Sequence, residues 1–169
     1  MTTNELKQVI KIIGSDRKHL HFARRIQKDF QESQTKGIPV AMRAFFAADD
    51  NQNAVGFAII SISPLKMRQW EETFRQEGWT DESFGIDISS FELMYLYIQP
   101  RFRRKGKGTF LFKKVIAYAQ KVGIKKIYAY VSDTTGLGLH FYRKNNATLI
   151  RDFSSKEEGV STAYLVWKV

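Results

Sequence analysis

The sequence predicts a mixed α/β (α+β) fold in a single domain, and three observations carry that reading. The first is a strand, a basic glycine turn and a helix in direct succession between Glu92 and Val122. Its strand, Phe91 to Ile98, is almost continuously apolar and aromatic, as expected when both faces are covered. The second is the alternation of strand-like and helix-like periods along the chain, with no internal repeat, low-complexity tract or linker. The third is size and composition. A chain of 169 residues, 43% hydrophobic and 14% aromatic, suits one domain over residues 1–169 with a substantial core.

Taken in order, Glu5 to Ile13 reads as a first strand ended by Gly14. Ser15 or Asp16 can cap a helix in which Phe22, Ile26 and Phe30 recur at i, i+4, i+8, stopping near Gly37. Val40 to Ala48 and Ala54 to Ile62 read as two strands around the polar turn Asp49-Asp50-Asn51-Gln52-Asn53. Ser63-Pro64 opens a helix with Met67, Trp70 and Phe74 on its inner stripe and Gly78 at its end. A looser segment runs to Ser90. After the central strand and turn, Leu111, Val115, Tyr118 or Ala119, and Val122 form the inward face of a helix that Gly123 stops. Lys126 to Val131 is a short strand, and a helix follows from about Thr135 to Lys144. Asn145-Asn146 can take a left-handed turn. Two last strands, Thr148 to Phe153 and Thr162 to Lys168, flank a polar hairpin at Ser154 to Gly159.

Composition removes several function classes. No cysteine is present, so there is no disulfide framework, thiolate nucleophile or thiolate metal ligand. His19 and His21 stand two apart and His140 is remote, a spacing that argues against a metal site. No apolar run approaches the ~18 residues a membrane span needs, and Met1 to Lys7 lacks the apolar core of a secretory signal. A soluble cytoplasmic protein is expected. Lys and Arg number 27 against 17 Asp and Glu, a formal charge of +10. That excess admits three readings: attraction of a polyanionic cofactor, contact with nucleic acid or ribosome, or a solvated surface. The cofactor reading leads for residues 101–107, the solvated surface for the lysines farther along.

The glycine turn narrows the chemistry. Gly106 and Gly108 carry no Cβ, so their main chain can approach a ligand closely. They open a helix whose first N–H groups lack intrahelical partners and whose dipole end is positive. Arg101, Arg103, Arg104, Lys105 and Lys107 crowd the same turn. The ensemble suits a phosphate or pyrophosphate. A nucleotide P-loop is excluded because no glycine stands at position 101 or 102. The dinucleotide fingerprint fails because Leu111 stands where its third glycine belongs.

What remains, Arg103-Arg104-Lys105-Gly106-Lys107-Gly108, resembles the Q/R-x-x-G-x-G/A pyrophosphate loop of the GCN5-related N-acetyltransferases, the GNAT superfamily. The resemblance includes Ile98-x-Pro100 before the loop, the helix after it and Phe141-Tyr142-Arg143-Lys144 later, covering roughly residues 54–150. It implies a mixed, mostly antiparallel central sheet, split after strand 4 and flanked by helices. It also implies acetyl-CoA as co-substrate, lying in the split with no metal. Leu96, Tyr97 and Ile98 would then offer main-chain groups to the pantetheine. Arg103, Arg104, Lys105, Gly106, Lys107, Gly108 and Thr109 would hold the pyrophosphate, Arg104 or Lys105 adding charge.

Acetyl transfer to an amine needs a proton removed from the ammonium, a donor for the thioester oxygen and a proton for the departing thiolate. Glu92 stands eleven residues before Arg103, a spacing similar to that of the family's general-base glutamate. Strand alternation places it with Met94, Leu96 and Ile98, partly desolvated with a raised pKa; ordered water is the alternative base. The main-chain N–H near Ile98 is the family's usual oxyanion donor. Tyr142 matches the tyrosine of the family's Phe-Tyr pair, and a phenol with a pKa of ~10 can donate to a thiolate. Thr135 stands where members often carry an asparagine that contacts the pantetheine, and Asn146-Ala147 replaces the frequent Gly-Phe.

The implied activity is N-acetyl transfer from acetyl-CoA to a primary amine by direct attack in a ternary complex, since no cysteine can carry the acetyl group. Between Lys66 and Glu92, the acids Glu71, Glu72, Glu77, Asp81, Glu82, Asp87 and Glu92 face only Lys66, Arg68 and Arg75. With Trp70 and Trp79 they suggest either a wall for a cationic acceptor (a polyamine or other small amine, a lysine side chain or a peptide N-terminus) or a solvated helix face. The rival function is a non-catalytic module of the same fold that binds RNA or a ribosomal partner. Homodimers are frequent in the family.

Overall fold

The computed structural model describes residues 1–14, 17–133, 136–154 and 161–169. Its elements are α1 (Thr3–Ile13), α2 (Arg17–Lys36), β1 (Ala41–Ala48), β2 (Ala54–Ile62), α3 (Pro64–Gln76), β3 (Phe91–Ile98), α4 (Lys107–Lys121), β4 (Lys126–Asp133), α5 (Leu137–Lys144), β5 (Thr148–Asp152) and β6 (Ser161–Lys168). A 3-10 turn at Pro100–Phe102 links β3 to the glycine turn. The expected caps at Ser15 or Asp16, and the tip of the last hairpin, lie outside the described residues.

One expectation is overturned. Residues 5–13 form helix rather than strand, because Thr2 and Glu5 close a capping box at its start. Leu6, Val9, Ile10 and Ile13 then fall at helical spacing, and Val9, Ile12 and Ile13 are buried. The sheet therefore has six strands in the order β1-β2-β3-β4-β6-β5. It is antiparallel except between β3 and β4. The split expected after strand 4 falls between β3 and β4, one strand earlier in the count.

That split positions everything else. β3 and β4 share only the rungs Phe91–Ile127 and Glu92–Tyr128, then part. On its other side β3 stays paired with β2 from Phe91 to Ile98. α4 and α5 cover one sheet face with a core that includes Leu93, Leu111, Val115, Ile127 and Leu165. α1 and α2 cover β1–β3 on the opposite face through Val9, Ile26, Phe57 and Tyr95. On that same face α3 covers β4 and β6 through Met67, Phe74 and Tyr128. The seam between these last two clusters runs along the split.

β3 carries a bulge at Met94, where Leu93 pairs with Ile60 and Tyr95 with Ile59. The bulge resets the alternation. Glu92, opposite Ser61, therefore shares its face with Tyr95 and Tyr97, while Leu96 and Ile98 fall on the α4 face. The expected grouping of Glu92 with Leu96 and Ile98 does not hold.

Gly56 fixes the far end of β3. A Cβ there would fall on the Ile98 side chain and come within 2.9 Å of the Tyr97 carbonyl oxygen. Gly56→Ala should therefore cost about 1–3 kcal/mol of stability, read from the denaturant midpoint at constant m; an unchanged midpoint would show that β2 does not clamp Ile98.

Candidate functional site

The split exposes one edge of β3. Gln99 N–H donates to Val55 O at 3.0 Å, so alternation turns the main-chain groups of Tyr97 toward β2 and those of Leu96 and Ile98 into the split. Tyr97 instead contributes its ring, stacked on Phe57 and 5.9 Å from the Arg103 guanidinium. Arg103 Nε donates to Ile98 O at 3.0 Å, latching the turn to the strand. Leu96 N–H and C=O and Ile98 N–H remain for an extended ligand.

Past the 3-10 turn, Arg104 and Gly106 take left-handed φ of 60° and 74°. Gly106 is the N-cap of α4 and donates no side-chain cap. The main-chain N–H groups of residues 104–109 find no main-chain acceptor among the described residues, and they ring the positive end of the α4 dipole. The space a side chain would fill at Gly106 is open. Gly108 differs: a Cβ there would stand 3.3 Å from the Phe141 ring, so its bareness serves the close packing of α4 on α5. These features fit a diphosphate.

The five cations of the turn divide. Lys107 Nζ donates to Ala48 O at 2.6 Å, tying α4 to the β1–β2 hairpin. Arg103 is spent on Ile98. Arg101 lies 4.8 Å from the Phe102 ring centroid. Arg104 and Lys105 are exposed and have no carboxylate partner among the described residues. They are the charges that can meet a ligand.

Glu92 sits at the closed end of the split, 4% exposed. Lys66 Nζ, from the first turn of α3, lies 2.5 Å from Glu92 Oε1. Ser61 Oγ donates to Oε2 at 3.3 Å, and Ser61 and Ser63 hydroxyls are 3.0 Å apart. Sequence reasoning placed Lys66 among the cations of the acidic segment but missed its pairing with Glu92. It also missed the bond from Tyr95 Oη to Asp29 Oδ2, 2.5 Å long, which ties α2 to the strand beside the bulge. Burial, then this bond, push the Tyr95 phenol well above its usual range. Tyr128, at the last β3–β4 rung, is fully buried with no partner for its hydroxyl among the described residues; burial pushes it up to about 12.

Tyr142 is half-buried on α5, edge-on to Trp167 and to Phe141, each at 5.3 Å. Asn146 takes the left-handed conformation its position asked for, φ 62°. Thr135 lies outside the described residues. The acidic segment spends much of its charge locally. Glu71 pairs with Arg75 and accepts the Ile86 N–H. Asp81 and Asp87 cap their own turns through Ser83 and Ser89, bonds that hold both carboxyls below the usual range. Trp70 and Trp79 pack with Phe74 and Tyr164 in the α3 core. Among the described residues no cluster of His, Asp or Glu could hold a metal, and no helix is long and apolar enough to cross a membrane.

The model of the Acetyltransferase (GNAT) family matches residues 15–146. No protein of curated function matches the chain in sequence. Among solved structures, a GNAT-family protein from Desulfovibrio desulfuricans, an acetyltransferase by assignment, is 15% identical with TM-score 0.67 over 99% of this chain and 94% of its own. The PaiA N-acetyltransferase from Thermoplasma acidophilum in complex with coenzyme A is 17% identical, TM-score 0.62, covering 100% and 96%. A spermidine N-acetyltransferase SpeG chimera from Vibrio cholerae and hSSAT is 13% identical, TM-score 0.60, covering 99% and 92%. At these identities the likeness is one of fold.

The Tyr95–Asp29 bond predicts a pH signature. Tyr95→Phe should lose about 2 kcal/mol at pH 8. Above pH ~10 the unfolded chain releases a phenol proton that the folded wild type retains, so wild-type stability falls as pH rises. The gap between the two proteins should therefore narrow from pH 10 to 12 in parallel urea titrations; a constant gap would mean that the phenol titrates normally in the fold.

Proposed function

This chain belongs to the acetyltransferase (GNAT) family, and we propose that it is an acetyl-CoA-dependent N-acetyltransferase acting on a primary amine by direct transfer in a ternary complex. The observation that carries the proposal is the parting of β3 from β4 after Glu92, with a run of amides at residues 104–109, beyond the open end, that find no main-chain acceptor among the described residues. Acetyl-CoA supplies an acyl group activated as a thioester. Leu96 and Ile98 pair with the pantetheine amides in the manner of an added strand. The amides of Arg103, Arg104, Lys105, Gly106, Lys107, Gly108 and Thr109 are the candidates for the diphosphate, with the side chains of Arg104 and Lys105 neutralising it. Tyr97 supports the strand through β2, and Thr135 is assigned a polar contact to the pantetheine by the family pattern alone.

Glu92 takes the proton from the acceptor ammonium, which requires Lys66 to yield its place beside the carboxylate. Tyr142 returns a proton to the leaving sulfur. No cysteine exists to carry the acetyl group, which leaves the amine to attack directly. The acceptor is a primary amine, whether small amine or polyamine, lysine side chain or peptide N-terminus, and the reaction is assigned to the cytoplasm.

Three measurements test this. Acetyl-CoA should raise the melting temperature by several degrees, and changing both Arg104 and Lys105 to Gln should weaken binding about tenfold and flatten its salt dependence. Tyr142→Phe should lower kcat about a hundredfold with coenzyme affinity unchanged; equal turnover would remove Tyr142 from the mechanism.

A further inference from the structure

Glu92 and Lys66 bring a proton acceptor and an amine into contact within the chain itself. Glu92 is 4% exposed at the closed end of the split, where it pairs with Tyr128 in the last rung that β3 and β4 share. Lys66 Nζ donates to its Oε1 at 2.5 Å, and Ser61 Oγ donates to Oε2 at 3.3 Å. Among the described residues no other cation forms an ion pair with Glu92. The acceptor amine of the proposed reaction must reach this same carboxylate. Lys66 already stands there.

The surroundings leave this lysine free to react. Its side chain is 38% exposed against 5% for Glu92, so the nitrogen can turn from the carboxylate toward the open part of the split. Glu92 is its one hydrogen-bond acceptor among the described residues, and the Trp70 ring centroid lies 5.2 Å from Nζ. Lys66 also sits in the first turn of α3, which carries no acid of its own. A cation is disfavoured there by the positive end of the helix dipole. Glu92 offsets that cost, and conversion of the ammonium to a neutral amide would remove it. An amine held beside its own base also reacts without the entropy loss of bringing in a second molecule.

We infer that Lys66 is itself an acetyl acceptor, modified by its own chain from acetyl-CoA with Glu92 as the base. The inference rests on the acetyltransferase reading and deepens it by naming one acceptor nitrogen. Glu92 takes one proton from the ammonium, and the freed lone pair forms an N–C bond to the thioester carbonyl carbon. The C–S bond breaks as the tetrahedral adduct collapses, and coenzyme A leaves. The second proton lost by the nitrogen replaces the one that Tyr142 gives to the sulfur, and Glu92 passes its proton to solvent. One ammonium and one thioester thus become one amide, one thiol and one proton. The acetylated side chain carries no charge and no longer competes with an incoming ammonium for Glu92.

The test incubates wild type with acetyl-CoA and follows each lysine by peptide mass spectrometry. Lys66 should be acetylated at least about tenfold faster than Lys113 and Lys121, which are exposed on α4. Its rate per chain should not change with protein concentration. Acetyl phosphate, which needs no coenzyme site, should reverse the order, because a paired, half-buried ammonium is the poorer nucleophile. Excess coenzyme A should suppress the Lys66 label from acetyl-CoA and leave the acetyl phosphate labels alone. Glu92→Gln should slow Lys66 about a hundredfold with Lys113 and Lys121 unchanged; if that variant unfolds, the coenzyme A competition on wild type decides the question. The inference is overturned if Lys66 labels no faster than Lys113 and Lys121, if acetyl phosphate gives it the same lead, or if excess coenzyme A does not slow it. A label whose rate per chain rises with protein concentration also overturns it. Acetyl-CoA that raises the melting temperature and acetylates an added amine while leaving Lys66 bare overturns this inference alone. Acetyl-CoA that neither binds nor reacts overturns the acetyltransferase reading with it.

Discussion

The structure depends on a strand that leaves its neighbour. β3 is held along its whole length by β2 and for only two rungs by β4. An exposed strand edge is normally a liability, because its unpaired N–H and C=O groups invite another chain. Here the edge is short, faces inward between two halves of one sheet, and ends at a helix N-terminus whose amides also find no main-chain acceptor among the described residues. Main-chain groups without a main-chain partner among the described residues thus gather in two places, at Leu96 and Ile98 on the strand edge and at residues 104–109 in the turn. In the proposed reading, a ligand that is an amide chain at one end and a diphosphate at the other meets these groups, which favours acetyl-CoA over a simple nucleotide.

The bulge at Met94 gives the strand two different jobs. Beyond it, Leu96 and Ile98 send side chains toward α4 and main chain into the split. Before it, Glu92 is turned to the opposite face, into a buried polar pocket with Ser61 and Ser63. A buried carboxylate is costly unless paired, and Lys66 provides the pairing. Since the Lys66 side chain is 38% exposed, the pair can open without unpacking a core. Tyr95, tied to Asp29 on α2, holds the bulge in register between these two regions.

The sequence was legible where one residue type permits one local structure. The apolar run of β3, the proline after it, the glycines of the turn and the 3.6-residue spacing of Leu111, Val115 and Ala119 in α4 survive in the fold; Val122, expected on the same inward face, lies just past the helix end and is 46% exposed. Asn146 adopted its left-handed conformation because a short polar side chain tolerates it. Residues 5–13 misled because a short run rich in Val and Ile reads as a strand, whereas the helical spacing of Leu6, Val9, Ile10 and Ile13 and the Thr2-x-x-Glu5 box both favour the helix. Strict alternation failed at Glu92 because a bulge leaves no mark in the sequence. The Lys66–Glu92 and Asp29–Tyr95 pairs span 26 and 66 residues, beyond any local pattern. Gly106 and Gly108 look alike in sequence, yet one faces open space and the other the Phe141 ring.

Amide hydrogen exchange, resolved by residue with and without coenzyme A, tests the central claim most directly. Free protein should exchange quickly at Leu96, Ile98 and residues 104–109 but slowly at Tyr97, whose N–H points to β2, and coenzyme A should slow the fast group together. Exchange at Leu96 and Ile98 that is already slow, or that coenzyme A leaves untouched, would contradict an open strand edge built to receive it.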